Sequence, residues 1–223
     1  MLSLLWLATA CATDRVSAQL DVGATSASSG PNLTVASDCA VAWTCSGAFD
    51  GVQAPTTRWD GRAGWGGGGT ILVSERLLPR LHLDFGFDLH YVRAPLSPVE
   101  AFTSPAHPGI SYAAPGTGGD LFFSGLPLLL RWTAAPGWDL YAGVVPGILV
   151  LQKRLVASTG PESLLTGGGF DAAGRLGIER TFGGGLWGVG LYGQADSAGL
   201  FDGAFADFAL HFGTGSAPGG AAR

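Results

Sequence analysis

Lysine occurs once in this 223-residue chain, at Lys153, and charged residues of all kinds make up only 13% of it. With a net charge of -5 and so few cations, no basic patch for nucleic acid is expected. Long apolar runs are missing too. No uninterrupted stretch approaches the roughly 18 to 20 residues a membrane-crossing helix needs, although mean hydropathy is positive at +0.30. Hydrophobicity that is high but dispersed fits many alternating strands. Catalytic signatures are lacking as well, with no Walker A lysine, no H-E-x-x-H and no G-x-S-x-G. G-x-G-x-x-G occurs at Gly64 to Gly69 and at Gly188 to Gly193, but neither copy follows a strand and opens a helix. No dinucleotide or other cofactor is therefore expected.

Cysteine is scarce, with Cys11, Cys39 and Cys45 the complete set. The first lies in an apolar stretch from Leu2 to about Ala12, followed by Val16-Ser17-Ala18. That layout predicts a signal peptide over residues 1–18, cut after Ala18. A lipoprotein signal using "ATAC", with Cys11 lipidated, is the alternative. The mature chain then keeps an even, closely spaced pair. In an oxidising envelope compartment Cys39 and Cys45 are expected to close a small loop as a disulfide. Two thiols alone imply no metal site.

What the chain does have is alternation. In "RLHLDFGFDLHYVR", Leu81, Leu83, Phe85, Phe87, Leu89 and Tyr91 share one face, while His82, Asp84, Gly86, Asp88 and His90 share the other, which is the period of a strand. The same period recurs, predicting eight strands at about 19–26, 62–74, 81–93, 121–133, 138–152, 170–182, 186–196 and 205–212, with 213–223 a flexible tail. Short links near residues 75–80, 134–137 and 183–185 alternate with long ones over 27–61, 94–120, 157–169 and 197–204. Short turns at one end and long loops at the other are the layout of an outer-membrane β-barrel. Strand length agrees: eleven residues tilted near 45° rise about 26 Å, close to the height of a lipid-facing apolar band.

The two faces carry different chemistry. Trp132, Trp138, Phe182 and Trp187 flank the short turns on the apolar face, and Tyr91, Phe122 and Phe170 sit on that face toward the long loops, with Phe212 ending the last strand. Two aromatic bands bounding an aliphatic middle are the girdles of a lipid-facing surface. The opposite face offers Gly, Asp, Arg and Tyr, as a narrow lumen filled by side chains requires. Charges there must pair. Arg131 is expected near Asp84 and Asp139, with Arg175 and Glu179 in a second cluster, and with Asp88 and Asp171 as further lumen acids. His82 and His90 lie about 26 Å apart at the strand rise and cannot share a metal.

The quoted segments "GLPLLLRW", "WDLYAGVVPGILVL", "FDAAGRLGIE" and "GLYGQADSAGLFDGAFADFALHF" resemble the small outer-membrane β-barrel domain labelled porin family in Gram-negative bacteria. The likeness is good over about residues 121–212 and moderate over 62–93. It implies a place in the cell outer membrane, contact with outer-membrane lipid and lipopolysaccharide, and insertion by the barrel assembly machinery. One departure is that "GTGSAPGGAAR" follows Phe212, where such barrels often end on the aromatic. The fold expected is therefore all-β, an eight-stranded antiparallel up-and-down transmembrane β-barrel. The function expected is that of a non-enzymatic integral membrane protein with a plugged lumen and a structural or surface-interaction role. Two alternatives stand beside it. One is a secreted lipocalin-like barrel with Leu81, Phe85, Leu128 and Ile148 around an internal cavity. The other is a lipid-modifying enzyme built on His211 with Asp207 or Thr214, for which no convincing serine is at hand.

Overall fold

Wherever an apolar side chain alternates with a small or charged one the chain is extended, because successive side chains of a strand point to opposite faces. The structure is a computed structural model that describes residues 13–26, 33–34, 56–57, 62–104, 107–160, 162–197, 199 and 201–213. In chain order these hold β1 (Thr13–Ser26), β2 (Leu33–Thr34), β3 (Thr56–Thr57), β4 (Gly64–Leu78), β5 (Leu81–Ala94), β6 (Val99–Ser104) and β7 (His107–Ala114). There follow β8 (Gly119–Gly125), β9 (Leu128–Ala135), β10 (Trp138–Ala157), β11 (Glu162–Phe182), β12 (Trp187–Asp196) and β13 (Asp202–Phe212). Cys39, Cys45 and the expected tail from Thr214 onward lie outside the described residues.

Eleven strands form one sheet in the order β11, β12, β13, β1, β4, β5, β8, β10, β7, β6, with β9 between β5 and β10, and with β10 also paired to β11. β2 and β3 pair separately. The expected eight-stranded transmembrane β-barrel is thus corrected to an eleven-stranded sheet that branches at β10. The expected strand 121–133 is two strands, because Pro127 has no N–H for the ladder and the Leu126 amide turns to Pro146 O at 2.8 Å. The expected loop 94–120 contains the β6–β7 hairpin, which joins β10 through Val156↔Ala113 and Ala157↔Tyr112. Much of the expected loop 157–169 is strand as well, since β10 and β11 pair from Trp138↔Arg180 to Val156↔Glu162. An integral transmembrane barrel is accordingly not carried forward. Among the described residues no helix is long and apolar enough to cross a membrane, which says nothing of strands.

β1 also starts earlier than expected. Residues 13–18, assigned from sequence to the leader, belong to it: Val16, Ser17 and Ala18 pair with Phe212, His211 and Leu210 of β13. Arg15 pairs with Ser74 and Ser17 with Leu72 on β4. A cut after Ala18 would remove about a third of the strand's ladder, together with the Asp14–Arg76 ion pair at 2.9 Å. A chain shortened to begin at Gln19 is expected to lose about 2–4 kcal/mol, the sum of a few lost hydrogen bonds of roughly 1 kcal/mol each. Urea unfolding measures it, and a loss below about 0.5 kcal/mol would show the segment to be dispensable. Mature protein from a Gram-negative envelope is expected to keep Thr13, which N-terminal sequencing reads directly.

One face of the sheet is apolar and exposed. Leu20, Val22, Ile71, Leu89, Leu130, Leu176 and Leu191 stand on it. The other face is buried and has two zones. Toward the short turns it holds Asp84, Arg131, Asp139, Glu179 and His211. Toward the opposite end it is apolar, built from Val92, Leu96, Leu121, Phe123, Leu155, Phe201 and Phe205. This second zone corrects the expectation of a polar interior throughout. It also corrects the lipocalin alternative, because Leu128 is exposed while Asp84 and Arg131 fill the interior. Glycine makes the room: a Cβ on Gly177 would lie 2.4 Å from the Tyr141 ring, and one on Gly190 would lie 2.7 Å from the Asp207 carboxylate. Both G-x-G-x-x-G copies fall inside strands, β4 and β12, where they serve this packing.

Candidate functional site

Buried charge is costly unless it is paired and hydrogen-bonded, so the interior charges identify their own partners. Arg131 on β9 stands beside Asp139 and Tyr141 on β10, with Glu179 on β11 and Asp84 on β5 within reach. Its Nε donates to Asp84 Oδ2 at 2.6 Å and its Nη1 to Glu179 Oε2 at 3.1 Å. Asp139 Oδ2 is 3.7 Å from Nη1, and Asp139 Oδ1 accepts from Thr133 Oγ1 at 2.7 Å. The guanidinium lies 5.1 Å from the centre of the Tyr141 ring, a cation–π arrangement. Ser74 adds a hydrogen bond to Asp84 at 2.6 Å.

A second cluster surrounds Arg175 on β11. Nη2 donates to Asp88 Oδ2 at 2.9 Å and to Gln194 Oε1 at 2.7 Å, and the guanidinium lies 4.6 Å from the Tyr192 ring centre. His90 bridges Asp88, 2.9 Å from Nδ1, and Asp21, 3.0 Å from Nε2, with Tyr192 OH 2.8 Å away. Thr70 donates to Asp88. The membership differs from the sequence expectation: Glu179 joins Arg131, not Arg175, because β11 brings it beside Asp139 in the ladder. Asp171 accepts from the Ser197 hydroxyl and from the amide of Ala172.

The serine that sequence reasoning lacked is Ser17. Its Oγ is 2.8 Å from His211 Nδ1, and His211 Nε2 is 3.0 Å from Glu179 Oε1. Assigning Ser17 to a leader hides it, although the unbroken alternation from Arg15 to Asp21 was the available signal. A hydroxyl, an imidazole and a carboxylate in line have the form of an activated nucleophile. Here Ser17 is 0% exposed, and Glu179 also accepts from Arg131. Asp207 and Thr214 are not the partners expected for His211: Asp207 accepts from Tyr141 OH at 3.1 Å, and Thr214 lies outside the described residues. Among the described residues no group of three or more His, Cys, Asp or Glu side chains could hold a metal ion.

The aromatic residues singled out from sequence stand on the outward face or at its border. Phe182 and Trp187 stack at 4.5 Å beside one turn, and Tyr91 and Phe122 meet at 5.2 Å toward the other end. Trp132, Trp138, Phe170 and Phe212 are exposed. Arg180, near the 183–186 turn, lies 4.9 Å from the Trp138 ring centre.

Beyond Tyr91 and Phe122 the surface is cleft. Two cavities, about 280 and 330 Å³, flank Arg93: the first is bordered by Arg62 and Trp65, the second by Asp120 and Arg154. Arg93 Nη1 donates to Asp120 Oδ1 at 2.6 Å, and Tyr91 OH donates to the same oxygen at 2.8 Å. That hydrogen bond holds the Arg93 pKa above its ordinary value. Behind the cleft, Lys153 is buried and donates to Gly118 O at 3.0 Å and Gly116 O at 3.2 Å, with Leu96 O at 3.5 Å. Burial lowers its pKa. Lys153→Met is expected to release this loop at a cost of about 1–2 kcal/mol, from carbonyls left without their charged donor. Hydrogen exchange is expected to quicken at Gly116 to Gly119, and unchanged protection there would refute the anchoring role.

No family model matches this chain, and no curated protein does. Among solved structures it is distantly similar to an outer-membrane protein: Ail, the attachment invasion locus protein of Yersinia pestis, crystallised in complex with the heparin analogue sucrose octasulfate. Identity is 9% and the TM-score 0.43, over 90% of this chain and 97% of that one.

Proposed function

We propose that this chain works in contact with lipid at the cell outer membrane, as a non-enzymatic protein with a structural or surface-interaction role. The observation that carries this reading is the inverted distribution of polarity. Large apolar side chains cover the outward face of the sheet, Phe170 at 75% and Leu176 at 67% exposure, while Asp84, Arg131 and Glu179 are sealed inside. Water-soluble monomers rarely leave apolar patches beyond a few hundred Å² uncovered. Acyl chains solvate such a face at no hydrophobic cost, and the aromatic side chains at its two ends suit the boundary between hydrocarbon and headgroups. Outer-membrane lipid, lipopolysaccharide included, is the partner this surface fits. The non-enzymatic role follows from paired interior charges and an enclosed Ser17.

Fractionation after expression in a Gram-negative host tests the proposal. The protein is expected in the outer-membrane fraction, released by detergent and retained through high salt and carbonate washes. Recovery in the soluble periplasm or the medium without detergent would overturn it.

A further inference from the structure

The cleft around Arg93 is unlike the rest of the surface in charge. The chain is acidic overall, yet four of its twelve basic residues, Arg62, Arg93, Lys153 and Arg154, gather here. Among the described residues, Asp120 is the one acid that lines the two cavities. Three arginines, with the buried Lys153 ammonium behind them, make a positive surface on a chain that has few others.

The geometry of Arg93 is specific. Asp120 engages Nη1, while the Nη2 and Nε edge faces the loop Pro115-Gly116-Thr117-Gly118-Gly119. A Cβ placed on Gly118 would come to 3.4 Å from Nη2 and 3.5 Å from Nε. Gly118 has φ +107°, a conformation open to glycine and poorly adopted by other residues. The loop therefore approaches the guanidinium edge as bare backbone, and Thr117 lines both cavities. A guanidinium edge offering two parallel N–H donors is matched to phosphate oxygens, which it binds in bidentate fashion.

Position in the sheet decides which phosphate. Tyr91 faces Phe122 in the β5–β8 ladder, and Arg93 faces Asp120 two residues further on. On the other side Arg93 pairs with Trp65, which is exposed on the outward face. The arginine thus stands about 7 Å beyond the Tyr91–Phe122 pair, two residues at the strand rise, on the same outward face. With aromatic rings at the edge of the hydrocarbon, a cation one step further out lies at headgroup level. We infer that the Arg62–Arg93–Arg154 cleft binds the phosphate of an anionic lipid headgroup, an inference that rests on the lipid-contacting reading above. Asp120 orients Arg93 while the cleft is empty and competes mildly with the incoming phosphate.

Native mass spectrometry of the full chain in a neutral detergent, titrated with diphosphoryl lipid A, tests this inference. The wild type is expected to retain the lipid, Arg93→Gln with Arg154→Gln to weaken retention about tenfold or more, as loss of two charge-assisted contacts implies, and Asp120→Asn to bind at least as tightly as wild type. Arg76→Gln, an exposed change near the Pro79–Arg80 turn, is expected to leave retention unchanged. Circular dichroism checks that each variant is folded. Wild-type retention by the double variant, or equal loss in Arg76→Gln, overturns the site. Displacement of lipid A by millimolar inorganic phosphate that itself binds would make this a free-anion site and overturn the lipid assignment. Flotation with pure phosphatidylcholine vesicles separates the two readings. Protein that floats without preferring lipid A refutes this site alone, whereas protein that does not float refutes the lipid-contacting reading beneath it.

Discussion

Replacing Arg131 with alanine is expected to destabilise the protein by about 3–5 kcal/mol, the cost of removing one partner of a buried ion pair. The side chain is buried, and its loss leaves Asp84 and Glu179 without their cation while both are 0% exposed. Their remaining neighbours are Ser74 for Asp84, Gln19 and His211 for Glu179, and Arg15, which acts on both carboxylates without forming an ion pair of the closeness that Arg131 makes, too little to offset two desolvated negative charges. The same logic predicts partial rescue. Arg131→Met combined with Asp84→Asn and Glu179→Gln removes the charges together, and replacing a whole buried ionic group is often close to neutral. Urea unfolding followed by tryptophan fluorescence reports both, with the midpoint shifting at constant slope. A loss below about 1 kcal/mol for Arg131→Ala would mean that water reaches these carboxylates, and the closed interior would then be wrong.

Under the proposed contact between the outward face and acyl chains, Leu176→Arg is expected to cost about 2–4 kcal/mol, the penalty of a cation in the middle of a hydrocarbon-facing band. Leu176 lies midway along β11 between the outward Phe170 and Phe182, and its neighbours in the ladder are Ala142 and Gly193, so no acid stands directly opposite to offset the charge. On a water-exposed face the same change would fall within about 0.5 kcal/mol. Comparing Leu176→Arg with Arg180→Leu in phosphatidylcholine liposomes makes the depth dependence visible, because Arg180 sits at the aromatic edge where a cation costs little. Equal, near-zero effects at both positions would overturn the proposed contact with acyl chains.

Much of the sheet was legible because a strand has a period of two, and apolar outward positions such as Leu83, Phe87 and Leu191 repeat it without ambiguity. Three features escaped that period. At β8 and β9 the alternation continues across Pro127, and only the missing amide shows the break. At the far end of β10, past the expected limit at residue 152, Leu155 turns inward while Val156 does not, so apolar residues occupy both faces and resemble a loop of mixed composition. Phe201 and Phe205 belong to the inner face, and their role depends on meeting Phe123 from β8, whose ring centre is 5.7 Å from that of Phe201. At the start of β1, a small-residue pattern suited to leader cleavage overlaps residues that pair with β4 and β13, and a local pattern of small residues does not reveal that pairing.

Side-chain alternation by itself determined that this chain is all-β, that apolar residues such as Leu89, Leu130, Leu176 and Leu191 share one face, and that Asp84, Asp88, Arg131 and Arg175 share the other. These follow from covalent geometry, since neighbouring Cβ atoms of a strand must point apart. Only the tertiary structure decided which acid meets which arginine, that Ser17 reaches His211, and that the sheet holds eleven strands and branches at β10. It also decided that Arg93 stands over a glycine loop. Those outcomes depend on register between strands up to 194 residues apart in the chain, and register is set by the pairing of whole ladders, a long-range quantity that no local period encodes.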